Sequence, residues 1–171
     1  LAGPKDGRQP HPARIEPANM TIRIIRQPLT TVDAPWVAAG IFDKEAALAS
    51  DVRGTGVESL TARLLEEKEI KGSVGETVAL YAPAGFRSPS LLLFGLGSKA
   101  KLDARAAFSA GVALAKRLAG RPRDRVAVSA AGILEADASL ASALVEGIVV
   151  GMQGPGLHKS EPNRHPFPTD L

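Results

Sequence analysis

Apolar runs and helix-period stripes alternate along this chain, and the alternation predicts strands and helices in turn. The clearest run is Leu91-Leu92-Leu93-Phe94, which leads into Gly95-Leu96-Gly97. A continuous apolar run of that length reads as a strand buried on both faces of a sheet. Residues 36–42, entered through Pro35, read as a second strand of this kind. Residues 20–26 set Ile22 and Ile24 against Thr21 and Arg23, the alternation of a half-buried strand. Residues 76–81 and 125–131 are further strands, and Pro83, Gly85 and Pro89 mark a turn-rich connection before the run at 90–94.

Helical stripes fill the intervals. Residues 44–52 form a short helix candidate closed by Gly54-Thr55-Gly56. Residues 57–70 place Val57, Leu60, Leu64 and Leu65 on one face, opposite Glu58, Arg63, Glu66, Glu67 and Lys68. Asp103 is the expected N-cap of a helix reaching Ala119, with Ala104, Ala107, Phe108, Gly111, Leu114, Ala115 and Leu118 in one stripe. Gly120 is its expected stop, with Pro122 beyond. A last helix over 137–152 keeps Leu140, Leu144, Ile148 and Met152 in phase. Strands alternating with helices predict an α/β fold whose sheet is covered on both faces.

The ends differ from this body. Residues 1–19 are polar and broken by Pro4, Pro10, Pro12 and Pro17, which predicts a disordered leader or an extension ahead of a natural start at Met20. Residues 20–153 are the expected domain, and 154–171, opened by Gly154-Pro155-Gly156, read as a linker. Length agrees with one domain, since 171 residues with 44% hydrophobic content suffice for a single core. Aromatics are only 4%, so that core must be aliphatic. The absence of cysteine excludes disulfides, thiolate metal sites and cysteine nucleophiles. With no run long enough to span a membrane and no secretory signal at the N-terminus, a cytoplasmic setting is the expectation.

The net charge of +3 is carried by the leader and first strand, where Lys5, Arg8, Arg14, Arg23 and Arg26 face only Asp6 and Glu16. The rest is neutral, so bulk charge does not imply strong nucleic-acid affinity.

Candidate chemistry is sparse. His11, His158 and His165 all fall in the tails, and two linker histidines without a fixed spacing do not make a metal site. No serine sits in a G-x-S-x-G elbow. Glu66, Glu67 and Glu69 lie where a helix needs a solvated face. Gly95-Leu96-Gly97-Ser98-Lys99-Ala100 matches the G-x-G-x-x-A dinucleotide pattern in form. The helix behind it starts late, however, and the acidic residue expected further on is missing. Lys116, Arg117, Arg121, Arg123 and Arg125 cluster at a helix C-terminus, where cations complement the helix dipole or, on the sharper reading, meet phosphates.

Taken together, Lys71-Gly72-Ser73-Val74-Gly75-Glu76-Thr77, Leu91 to Gly97, Glu146-Gly147 with Gly151, and the linker segment His158-Lys159-Ser160 resemble the N-terminal domain of the leucyl aminopeptidase family over residues 41–152. The resemblance implies a three-layer α/β/α, macro-domain-like unit with a mixed central sheet, ahead of a larger catalytic domain that binds two divalent cations, zinc or manganese. It implies a hexamer that the N-terminal domains help to hold together, peptides as substrates of the parent enzyme, and, for some bacterial members, DNA binding. The family's Asn-Thr-Asp-Ala-Glu-Gly-Arg metal segment is not in this chain, whose asparagines are Asn19 and Asn163. No catalytic, cofactor-binding or metal-binding residue is therefore assigned. The chain reads as a piece of a longer protein, inactive alone and serving assembly. A nucleotide or ADP-ribose module, motivated by the glycine loops at 54–56 and 95–97, and a DNA-binding surface are the alternatives.

Overall fold

The computed structural model describes residues 20–43, 52–121, 123–153 and 171. Four strands, β1 (Trp36–Phe42), β2 (Thr77–Tyr81), β3 (Ser90–Gly97) and β4 (Val126–Val128), form one sheet in the order β2-β3-β1-β4. β1 runs parallel to β3 and to β4, and β2 runs antiparallel to β3. The helices are α1 (Gly56–Glu66), α2 (Ala104–Leu118), α3 (Ala131–Ala136) and α4 (Leu140–Gln153). The expected α/β class with a mixed, three-layer arrangement is what the chain adopts. No helix among the described residues is long and apolar enough to cross a membrane.

The central strands are apolar throughout because each feeds two cores. Leu92, Phe94 and Leu96 of β3 join Ala38 of β1 under α2 and α4. Leu91 and Leu93 join Val37, Ala39 and Ile41 on the opposite face, where Val57 of α1 and Ile70 close the layer. The side-chain period of two sends alternate residues to opposite layers, so both must be apolar.

α2 begins where the capping pattern predicts: the Asp103 carboxylate accepts from the Ala106 N–H at 2.7 Å. Its buried stripe is Ala107, Ala110, Gly111, Leu114, Ala115 and Leu118. Ala110 was not expected there, and Ala104 is exposed. Gly120 ends the helix without a left-handed conformation, since Ala119 caps it in the right-handed region.

α2 and α4 touch backbone to backbone. A Cβ on Gly147 would overlap the Phe108 carbonyl, one on Gly111 would come within 2.9 Å of the Ile148 nitrogen, and one on Gly151 within 2.8 Å of the Ala115 Cβ. Such contact is open only to residues lacking that atom.

Several expectations are corrected. Residues 20–26 are not a strand of the four-stranded sheet: Ile24 is 96% exposed, and the segment exchanges backbone bonds with Leu171 instead, Arg23 N–H to Leu171 O and Leu171 N–H to Thr21 O, each at 2.9 Å. Ile24 and Ile25 are adjacent, so the segment has no single apolar face to lay on a core. The helix expected over 57–70 stops at Glu66, because Lys68 takes a positive φ of 60° and Ile70 folds back, its N–H on Leu64 O at 3.2 Å. Its buried face carries Thr61 rather than Leu60, which is 42% exposed. β4 is shorter than expected. After Ser129 donates to Ala38 O at 2.8 Å, its hydroxyl accepts from Ala131 N–H at 3.1 Å and the unexpected α3 starts. The single helix expected over 137–152 begins at Leu140, behind a turn in which the Ser139 hydroxyl and N–H both donate to the Asp137 carboxylate. Those bonds hold that carboxyl below its ordinary pKa. The helix expected over 44–52 lies outside the described residues apart from Val52, as do the tails up to residue 19 and from 154 to 170.

Two stability outcomes are expected. Gly147→Ala forces α4 off α2 and costs about 2–3 kcal/mol in urea denaturation, while the control Gly120→Ala, whose Cβ meets nothing closer than 3.5 Å, changes little. Thr61→Val removes a fully buried hydroxyl that has no hydrogen-bond partner among the described residues. It is expected to stabilise by about 1 kcal/mol in the same assay.

Candidate functional site

In open α/β sheets ligands gather outside the carboxyl ends of the parallel strands. Here that end of β1 and β3 is occupied by residues 71–76 of the chain itself. Gly97 N–H donates to Gly72 O at 2.8 Å, Gly95 N–H donates to Glu76 O at 2.9 Å, and Gly97 O accepts from Asp43 N–H at 2.9 Å. The Glu76 carboxylate holds the loop in shape by accepting from Lys71 N–H at 2.9 Å and Ser73 N–H at 3.2 Å. A Cβ on Gly95 would overlap the Ser73 carbonyl, and one on Gly72 would lie 2.7 Å from the Phe42 carbonyl carbon. Of the two glycines of the apparent dinucleotide pattern, Gly95 serves close packing and Gly97 a turn with a positive φ of 76°, and neither N–H is free to cradle a phosphate. A 3-10 turn, Lys99–Lys101, separates them from α2, whose N-terminus already holds the Asp103 carboxylate. The loop at 54–56 is engaged in the same way: Gly54 N–H donates to the Glu58 carboxylate at 2.7 Å, and the Thr55 hydroxyl to Val52 O at 2.6 Å.

The basic cluster divides into two groups. Arg123 lies over the Trp36 ring with 4.5 Å to the centroid, and donates to the Leu118 carbonyl and, at 3.0 Å, to the Arg121 carbonyl. It closes the C-terminus of α2. Burial, followed by repulsion from Arg117 and Arg121, holds its guanidinium below the usual arginine range, with Tyr81 opposing. Arg125 donates to Asp33 O at 3.2 Å. These two are structural. Lys116 and Arg117 are exposed instead, and with Gly75, Thr77, Ser109, Val112 and Ala113 they line an open groove of about 460 Å³ between β2 and α2.

The remaining candidates show no catalytic arrangement. Glu67 pairs with Arg63 at 2.8 Å on the exposed face of α1, as the solvated-face reading has it. No group of three or more His, Cys, Asp or Glu side chains that could hold a metal occurs among the described residues. His11, His158 and His165 lie outside them.

Comparison with known proteins gives these motifs a family. Residues 40–152 match the description "Cytosol aminopeptidase family, N-terminal domain". A curated relative, the probable cytosol aminopeptidase of Synechocystis sp., is 28% identical over 130 residues, which cover 74% of this chain and 26% of that protein. Among solved structures, the bottromycin maturation enzyme BotP in complex with Mn is 20% identical, with a TM-score of 0.49, over 81% of this chain and 26% of its own. BotP without that designation follows at 20% and 0.47. The chain therefore spans about a quarter of the length of the relatives it matches. With the matched span running from inside β1 nearly to the end of α4, the chain belongs to the cytosol aminopeptidase family and carries its N-terminal domain.

Proposed function

We propose that this domain is the non-catalytic part of a leucyl aminopeptidase, a cytoplasmic two-metal exopeptidase that removes N-terminal residues from peptides, and that it contributes to hexamer assembly. The observation that carries the reading is the use to which its motifs are put. Within the described residues, the segments 71–77 and 91–97 pack against each other and Gly147 and Gly151 pack on α2, and no cluster of metal-donor side chains occurs there. Peptide hydrolysis near neutral pH needs an activated water and a stabiliser for the oxyanion. The described residues offer no donor set for the zinc or manganese pair of the proposed parent enzyme, which supports a metal site outside this folded domain. The glycine loops lend no support to a nucleotide or ADP-ribose module, because their N–H groups at Gly54, Gly95 and Gly97 are taken up internally.

The purified 171-residue chain, incubated with manganese or zinc, is expected to release no p-nitroaniline from leucine p-nitroanilide above the metal blank. Turnover that co-elutes with the chain overturns the non-catalytic reading. Assembly is tested in the longer protein by light scattering. Deleting this domain is expected to lower the assembly state, and an unchanged hexamer would contradict the role.

A further inference from the structure

β2 leaves one edge of the sheet open, with no strand beyond it among the described residues. The pairing parity identifies the groups on that edge. Glu76 O accepts from Gly95 N–H, Ala82 N–H donates to Pro89 O, and the register between them runs from Thr77↔Phe94 to Tyr81↔Ser90. Hydrogen-bonded pairs alternate along an antiparallel ladder, so Val78 and Leu80 also bond to β3. Thr77, Ala79 and Tyr81 therefore turn their N–H and C=O groups outward. On their side-chain face Thr77 lines the groove against α2, Ala79 packs on the α2–α4 core, and Tyr81 stands edge-on to Trp36 at 5.9 Å.

The groove beside this edge is cationic. Lys116 and Arg117 are exposed, form no ion pair among the described residues, and stand beside the hydroxyl-bearing Thr77 and Ser109. We propose that this edge docks an extended acidic polypeptide segment as an added strand, with its carboxylates toward Lys116 and Arg117. Outward main-chain donors and acceptors at strand spacing are matched by another peptide backbone, and the two cations set the sign of its side chains. A nucleic acid would meet the cations but leave the strand edge unsatisfied. A second copy paired through β2 would bring two sets of Lys116 and Arg117 together, the kind of charge that guards edges against self-pairing. The chain's own remaining segments are not acidic runs. Residues 1–19 hold Lys5, Arg8 and Arg14 against Asp6 and Glu16, residues 154–170 balance Lys159 and Arg164 with Glu161 and Asp170, and residues 44–51 carry only Glu45 and Asp51 with Lys44.

The test is fluorescence anisotropy of the chain with an end-blocked, labelled peptide of about eight residues alternating Glu and Val, long enough to span a strand. Saturable binding that weakens with salt is expected. The double variant Lys116→Glu/Arg117→Glu is expected to bind roughly tenfold more weakly or worse. Ala79→Pro, which removes an outward N–H and no bond to β3, is expected to abolish binding. Should that variant not fold by circular dichroism, the same peptide N-methylated at alternate residues tests the ladder on the unaltered chain, and it is expected not to bind. The proposal is overturned by absence of binding, or by equal binding of the N-methylated peptide, which would leave only charge attraction. A duplex oligonucleotide that binds more tightly than the peptide, with the same loss on charge reversal, would make the surface a nucleic-acid site and also overturn it.

Discussion

Direct contact between backbones, made where glycine leaves out a side chain, is the constraint on which this domain depends. On one face of the sheet it joins α2 to α4 through Gly111, Gly147 and Gly151. At the end of the parallel strands it joins the loop over 71–76 to β3 through Gly95 and to the end of β1 through Gly72. With few aromatics to fill wide spaces, an aliphatic and alanine-rich core reaches native density by bringing elements close together. One added methyl group at such a point has nowhere to go, because the neighbouring atoms are main chain and cannot rotate aside.

The same constraint explains why a chain with a clear family membership has so little visible chemistry. The segment Lys71 to Thr77 and the segment Leu91 to Gly97 are adjacent in space, exchanging hydrogen bonds at Gly72, Glu76, Gly95 and Gly97. Glu146-Gly147 and Gly151 mark where α4 lies against α2. What the resemblance reads in this domain is packing geometry. The cations Lys116 and Arg117 and most of the free edge of β2 fall outside those segments, which reach the groove only at Gly75 and Thr77.

Elements whose identity is written locally were legible in the sequence. β1 has the expected bounds, β3 contains the expected run and extends it to Gly97, and Asp103 caps α2. Each follows from neighbouring residues: an apolar run needs only burial on two faces, and a cap needs one carboxylate three residues before its donor. What depended on distant partners was not legible. The alternation at residues 20–26 says that one face could be buried, but not that a sheet edge will receive it. Thr61 takes the buried position on α1 because of the helical phase relative to the sheet, and a polar residue there gives no apolar signal. α3 was not legible because it is short and only two residues separate it from the end of β4. The role of the candidate site was mixed in the same way. The glycine pattern matches a phosphate site only in form, as the late start of the following helix already indicates, and the five-residue basic cluster concealed a division between Arg123 and Arg125, used for structure, and Lys116, Arg117 and Arg121, left exposed. The Gly111 contact was in principle detectable, since Ala107, Gly111 and Ala115 repeat small residues at the spacing of one helix face, as Ala143, Gly147 and Gly151 do on the other helix.

The central claim is that the family motifs close the crevice at the end of the parallel strands with the chain's own backbone. Residue-resolved amide hydrogen exchange tests it most directly. The account predicts that the Gly95 and Gly97 amides, bonded to Glu76 O and Gly72 O, exchange as slowly as the core of β3 and are unmoved by added ADP-ribose or inorganic phosphate. Exchange of either amide at the rate of an open loop, with protection gained when one of those ligands is added, would contradict it.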